Sequence, residues 1–461
     1  MENPLVVLSP PLHDLYAQAT KAVVALTAML LLPLECTAYA ADAATPSSYR
    51  RFQVEEKDGH VVATVPLPDD APPRWAKGVS QRQAAWSPSP NAKKPYFEGP
   101  IPFVIAPEDA GEPFHRHNHQ PAITWLKNGD LLAIWYTTGE ETGTELTVLA
   151  SRLREGEKAW DPASEFFKAE QRNMHGSAIF HDGRGTVYHI NGMGPERGEG
   201  WSSLALLLRT STDNGVTWTP ARPISSGANY QKRHQVIAGT TMTKDGALIQ
   251  VCDATPGGEG PSAIHISRDG GKTWSDPGGD IQGIHAGVTE LSNGQLFALG
   301  RAQAIDGKMP ISISENLGKS WTYQASPFPP IGSGQRLVLL RLREGPIMAI
   351  SFTSGNRKNP TAGNMTFVGK NGQEFVGHGM FAALSTDEGR TWPTRKLLTP
   401  GEGEFDGGGH TRSFTASPTR AEHAGYLAAT QSPDGVIHLI SSRLHYRFNL
   451  SWLNEPSTHA P

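Results

Sequence analysis

A chain of 461 residues with a formal charge of -4 is too long for one ordinary core and carries no basic field to hold nucleic acid, so two domains or one large closed architecture must be considered. Its 49 glycines and 36 prolines favour many turns between short strands over long helices. The only cysteines are Cys36 and Cys252, and loss of the first with an export signal would leave no internal disulfide, so a large core must hold the mature fold.

Near the start, Lys21 precedes an apolar run from Ala22 to Leu34, about 13 residues, which is short of the roughly 20 needed to span a bilayer. Ala38-Tyr39-Ala40 then supplies the small residues of a signal peptidase site. Residues 1–40 therefore read as a signal peptide, and the mature protein as secreted or periplasmic, without membrane attachment. Residues 41–95 are rich in Pro and Ala (PLPDDAPPRWAKG, WSPSPNAKKP) and read as a linker.

Beyond the linker the chain repeats itself. The octet Ser211 to Trp218 (STDNGVTW) recurs as Ser267 to Trp274 (SRDGGKTW) and Ser385 to Trp392 (STDEGRTW), and as Ser314 to Trp321 (SENLGKSW) with Asn316 in the aspartate position. Weaker echoes end at Trp160 and Trp452, so six tryptophans mark six units. An aspartate can accept hydrogen bonds from its own turn, a glycine supplies a positive φ, and an indole makes a large apolar wedge between units. Asp213, Asp269 and Asp387 are accordingly expected to be turn formers and not catalysts.

Between these staples run strand–turn–strand patterns: ITWLKNGDLLAIWY (123–136), AIFHDGRGTVYHI (178–190), GTTMTKDGALIQVC (239–252), VTELSNGQLFALG (288–300), RLVLLRLREGPIMAISF (336–352) and AATQSPDGVIHLI (428–440). Asn-Gly and Asp-Gly between alternating apolar residues signal hairpins. The expectation is an all-β domain over 96–455, a six-bladed β-propeller with four-stranded antiparallel blades. A segment such as Tyr96 to Ala106 is placed to lend a strand to the last blade.

The octet resembles the Asp box of the sialidase-like superfamily, which implies the same six-bladed propeller. Inner strands of such a fold begin near one axis. Here those starts carry His119, His175, His234, His285, Gln335 with Arg336, and Tyr426. The stretch AGYLAATQSPDG resembles the one bearing the nucleophilic tyrosine of sialidases, which implies that role for Tyr426. HAGVTELSNGQLFALGR resembles the stretch with their glutamate and second arginine, placing Arg301 at the arginine and His285 where the glutamate stands. His119-Gln120-Pro121-Ala122 lies where the family has Arg-Ile-Pro. Arg412 is a candidate third arginine, and Glu145 a candidate proton donor.

Two chemistries follow. In a glycoside hydrolase acting on an acidic glycan, Tyr426 would be nucleophile, His285 its base, Arg301 and Arg336 the carboxylate anchors and Glu145 the acid. In a polysaccharide lyase, His119, His175, His234 or Tyr426 would take the proton beside a uronate whose charge Arg336 offsets. A non-catalytic propeller that only binds a sugar is the third reading. The partner in each case is a glycan, with no nucleic acid and no cofactor. His115, His117 and His119 form an H-x-H-x-H run, but three ligands from one extended segment rarely close a tetrahedron around zinc. Glu140, Glu141 and the cluster from Glu402 to Asp406 read as solvated loop charges.

Overall fold

A computed structural model describes residues 47–69, 71–84, 86, 93–109, 111–196, 203–224, 230–254, 260–363 and 365–456. The expected signal peptide lies outside the described residues. Within them the chain is all-β, with one short α-helix at Leu450–Asn454 capped by Asn449 and single 3-10 turns at Arg74–Ala76 and Pro360–Ala362.

Six main sheets follow one another along the chain. The first runs from the strand His117–Trp125 outward through Leu131–Thr138 and Thr147–Leu153 to Ser164–Ala169. The second starts at Ser177–His181, the fourth at Ile284–Glu290 and the fifth at Val338–Arg341. In the third, Gln235–Val236 and Thr241–Met242 both pair with Leu248–Asp253. The sixth, starting at Ala428–Gln431, takes Phe97–Pro102 as its outer strand, antiparallel to Leu444–Phe448. The segment after Tyr96 thus joins the last sheet, as expected.

The octets behave as staples. In the fifth sheet, Ser385 Oγ donates to Asp387 Oδ1 at 2.8 Å, Gly389 N to Ser385 Oγ at 2.8 Å, and Thr391 N to Asp387 Oδ1 at 2.8 Å. These donors hold the Asp269 and Asp387 carboxyls at about 2, Thr273 and Thr391 contributing most. Asn316 keeps the turn with one bond reversed: its Nδ2 donates to Ser320 Oγ at 2.8 Å. Gly389 has φ +80°, and a Cβ there would come within 2.9 Å of the Phe297 ring in the preceding sheet. Only glycine fits.

Each staple's tryptophan lies against the sheet before it. Trp218 meets Phe166 edge-on at 5.4 Å, and Trp392 meets Phe297 at 6.4 Å. Trp274 shares a core with Leu206 and Leu208, and Trp321 with Ile264 and Ile266. Lys396 Nζ of the fifth sheet sits 4.2 Å from the Trp452 ring. Trp160 of the first sheet donates to His445 Nδ1 of the sixth at 3.2 Å. One cavity of about 340 Å³ is lined by an inner strand from every sheet, through Thr124, Phe180, Met242, Val288, Leu339 and Ala429.

The supposed linker is partly ordered structure. Arg51–Lys57 and His60–Pro66 form a hairpin, and the first of these pairs in parallel with Ser164–Ala169. Phe52 and Val61 are buried, and Trp75 Nε1 donates to Glu165 O at 3.0 Å. Its Pro- and Ala-rich flanks mask a short two-residue alternation. Likewise Gly403–Asp406 pairs with Ser413–Ala416. Trp125 and Trp135 are buried packing residues, as are His265 and His445.

Truncating Trp392 to Ala should cost about 3–5 kcal/mol by leaving a cavity between two sheets. Denaturant unfolding of Trp392→Ala beside the exposed control Tyr323→Ala checks this; equal midpoints would show that the wedge does not hold neighbouring sheets together.

Candidate functional site

The short strand Gly425–Tyr426 runs parallel to Gln335–Arg336, placing Tyr426 opposite Arg336. Tyr426 is buried, and its Oη is held from two sides: Arg301 Nη1 at 2.9 Å and His285 Nε2 at 2.8 Å. A guanidinium can only donate. The phenol accepts from Arg301, and with the imidazole proton on Nδ1, the side of Asp253, it gives its own hydrogen to His285 Nε2. The other imidazole nitrogen, Nδ1, faces Asp253 Oδ2 at 2.5 Å, and Asp253 Oδ1 also accepts from the His285 main-chain N at 2.7 Å. Asp253, His285 and Tyr426 thus form one proton path ending at a phenol beside a cation.

The backbone is shaped for this. His285 has φ +54° and sits where the pairing shifts register between Ile284 and Gly287. The first sheet repeats the device, with Gln120 at φ +51° and a register shift between His119 and Ala122. Bulges with strained dihedrals re-aim side chains at strand ends.

Burial pushes the Tyr426 phenol above its usual value, while Arg301 works the other way. Burial also holds His285 down at about 4, so at neutral pH the imidazole is free to accept a proton. Arg336 is drawn down by burial to about 10 and remains a cation; its Nε donates to Leu427 O at 3.0 Å, its Nη2 to Pro121 O, and its Cζ lies 5.2 Å from the Tyr426 ring.

On the other side of Tyr426 stands a second group. The His119 ring is 3.9 Å from that of Tyr426 and 4.6 Å from His410. Glu141 Oε1 accepts from Tyr136 Oη at 2.7 Å and faces His117 Nε2 at 3.1 Å. The His117 hydrogen bond is the main reason that the Glu141 carboxyl falls to about 2. Arg357 Nη1 donates to His410 Nδ1 at 2.7 Å. His175 lies 5.1 Å from Tyr136, its Nε2 facing the amide nitrogens of Gln120 and Gln235 at 2.9 and 3.1 Å. Thr411 Oγ1, next to His410, donates to Ala424 O at 2.7 Å and lies 3.0 Å from Oε1 of buried Glu422, tying this loop to the strand of Tyr426.

The structure therefore brings together Tyr426, His285, Arg301, Arg336, His119 and His175. It does not bring in the rest. His234 turns to Leu204 O at 2.9 Å and stacks near His265, because its ring is taken up by the neighbouring sheet. Gln335 spends its amide on Gly332 N, Ser354 O and His423 O. Glu145 accepts from Thr138 Oγ1, Gly139 N and Glu140 N and holds its own turn. Arg412 is an exposed turn residue with φ +59°. Glu141, read as a solvated charge, is instead half-buried against two aromatic side chains.

Asp253, Tyr136, His410 and Arg357 were not singled out from the sequence. Tyr136 was reachable: counting outward from the Asn128-Gly129 turn pairs it with His119 once a bulge is allowed. Asp253 closes an apolar strand, IQVCD, and only its contact with His285 reveals a role.

With this geometry in place, the comparisons are informative. A model of the BNR repeat-like domain matches residues 129–439, and the chain belongs to that sialidase-like family. A sialidase of Micromonospora viridifaciens is 24% identical over 392 residues, covering 72% of this chain and 51% of its own length. A sialidase of Bacteroides fragilis is 28% identical over 240 residues, covering 45% and 43%. The chain spans about half the length of these curated relatives or less. Among solved structures, the intramolecular trans-sialidase of Ruminococcus gnavus superposes with a TM-score of 0.52 at 12% identity, over 78% of this chain and 99% of that one. A protein of unknown function from Dyadobacter fermentans gives 0.51 at 13%, over 76% and 98%. These structural likenesses concern the fold.

Replacing Arg301 removes the cation that favours the phenolate, so Arg301→Ala should raise the Tyr426 pKa further. Difference ultraviolet absorbance against Tyr426→Phe, recorded as pH rises, reads that titration; an unchanged or lowered value would contradict the assigned contact.

Proposed function

We propose that this protein is an exported, sialidase-like glycoside hydrolase acting on an acidic glycan, built as a six-bladed β-propeller. The wedge of each tryptophan against the preceding sheet, the Trp160–His445 contact between first and sixth sheets, and the cavity shared by six inner strands support the ring. The observation that carries the chemistry is the chain of close polar contacts from Asp253 through His285 to Tyr426, with Arg301 on the same phenol oxygen.

In this reading Tyr426 Oη attacks the anomeric carbon as its proton passes to His285 Nε2. Asp253 stabilises the imidazolium so formed, and Arg301 favours the charge that builds on the phenol oxygen. The glycosidic C–O bond breaks, and the leaving oxygen takes a proton from a water molecule on the side where His119, His117 and Glu141 stand. The hydroxide so formed attacks the anomeric carbon and breaks its bond to Tyr426 Oη, and His285 returns the proton to the phenolate. Arg301, Arg336 and Arg357 supply positive charge for a carboxylate.

One observation favours a second reading. Glu141 is held ionised, its carboxyl at about 2, so it has no proton to give at neutral pH. β-Elimination on a uronate needs no carboxylic acid there: Tyr426 gives its proton to His285, the phenolate takes the C5 proton and passes it to the leaving oxygen as the C4–O bond breaks and a C4–C5 double bond forms, and His285 then returns the proton to Tyr426.

Incubation with sialylated and with uronate-containing glycans separates the two. New reducing ends without an unsaturated-uronate absorbance support hydrolysis; that absorbance supports elimination and refutes the hydrolase. Under either chemistry His285 must be neutral, so kcat/KM should hold near neutrality and fall as pH drops through about 4. Asp253→Asn and Tyr426→Phe should each lower kcat by about 10²–10⁴-fold; full activity in both would remove the proposed path.

A further inference from the structure

Spacing along one strand spoke against the H-x-H-x-H run as a metal site, but the structure gives His117 partners from elsewhere in the chain. Of the run's three histidines, His117 points at neither of the others as a co-ligand but at Glu141, from the loop after Leu131–Thr138, and at His410, from the loop between Gly403–Asp406 and Ser413–Ala416. One ligand atom from each of His117, Glu141 and His410 lies within 4.8 Å of the others. This is the only such group of His, Cys, Asp or Glu among the described residues. We propose that His117, Glu141 and His410 form a binding site for a divalent transition-metal ion, beside but separate from the Asp253–His285–Tyr426 path.

The donor set is two imidazoles and a carboxylate, which suits zinc or manganese and leaves open positions for water or a sugar oxygen. Ligand bonds of about 2.0–2.1 Å put neighbouring ligands of a tetrahedral ion roughly 3.3 Å apart. His117 Nε2 and Glu141 Oε1 already stand at 3.1 Å, and the His410 ligand atom, within 4.8 Å of both, must move in by at most about 1.5 Å. The three come from the start of one strand and from two separate loops, which removes the objection that one strand cannot wrap an ion. Tyr136 orients Glu141 through its 2.7 Å hydrogen bond, the kind of outer support that metal-binding carboxylates have.

An independent observation points the same way. His119, whose ring is 4.6 Å from His410 and 5.3 Å from His117, is buried, and its Nδ1 has no hydrogen-bond partner among the described residues. Leaving such an atom unsatisfied costs about 1–3 kcal/mol. Water or a substrate hydroxyl held by an ion in this group would supply the missing donor.

Arg357 sets a constraint. Its Nη1 donates to His410 Nδ1, which in a neutral ring leaves the proton on the opposite nitrogen. For that nitrogen to bind an ion, the proton must move to Nδ1 and Arg357 must turn away. Arg357 and the metal therefore compete for His410.

The test uses the full chain, stripped with a chelator and titrated calorimetrically with Zn²⁺ and then Mn²⁺, in the wild type and in Tyr426→Phe. One equivalent should bind in both, so the result stands apart from the fate of the Tyr426 mechanism. His410→Gln and Glu141→Gln should each weaken binding by at least about tenfold, His115→Ala should leave it unchanged, and Arg357→Ala should tighten it. Thermal melts guard against misfolding: metal should raise the wild-type Tm and leave that of His410→Gln and Glu141→Gln where it was. Absence of a saturable equivalent would overturn the site, and so would binding that survives both ligand variants or disappears in His115→Ala.

Discussion

Everything in this molecule depends on burying an indole against the sheet that precedes it. A single four-stranded antiparallel sheet has two faces to cover. The staple solves this locally: Ser, Asp and Gly fix the turn, and the turn aims the tryptophan at a neighbour. At Gly389 the approach is so close that any Cβ would strike Phe297. Because each unit repeats the same geometry, the first strands of all six line a common cavity, and side chains far apart in sequence come to share it.

That convergence makes an expensive site possible. Tyr426, His285, Arg301, Arg336 and Asp253 are all buried, where unpaired polar groups are costly. They are affordable because nearly every hydrogen has a named acceptor: phenol to imidazole, imidazole toward carboxylate, guanidinium to phenol and to main-chain oxygens. The same burial decides the protonation states. It keeps His285 neutral and Tyr426 protonated, so the proton sits on the phenol until an incoming substrate changes the balance.

The sequence displayed the fold more fully than the site, for a physical reason. Staples and hairpin turns are local, written within eight residues or around one Asn-Gly or Asp-Gly pair, so the strands and their all-β class could be read directly. The resemblance to sialidases placed Tyr426, Arg301 and His285, and phase placed His119, His175 and Arg336. Partnership across sheets has no local signature. Asp253 is one acidic residue at a strand end, Glu141 sits among other glutamates, and Arg357 belongs to an insertion rich in Gly and Asn. His234 and Gln335 show the converse, since equivalent phase brought them to strand starts where backbone carbonyls and amides absorb their polar atoms. The hairpin at residues 51–66 was hidden by the composition around it.

The position of two hydrogens tests this account most directly, and a neutron structure of the deuterated protein would show them. The account predicts deuterium on Tyr426 Oη pointing at His285 Nε2, and deuterium on His285 Nδ1 pointing at Asp253. Deuterium on Nε2 with a bare Nδ1, or a Tyr426 hydroxyl turned elsewhere, would mean that the imidazole cannot take the phenol's proton.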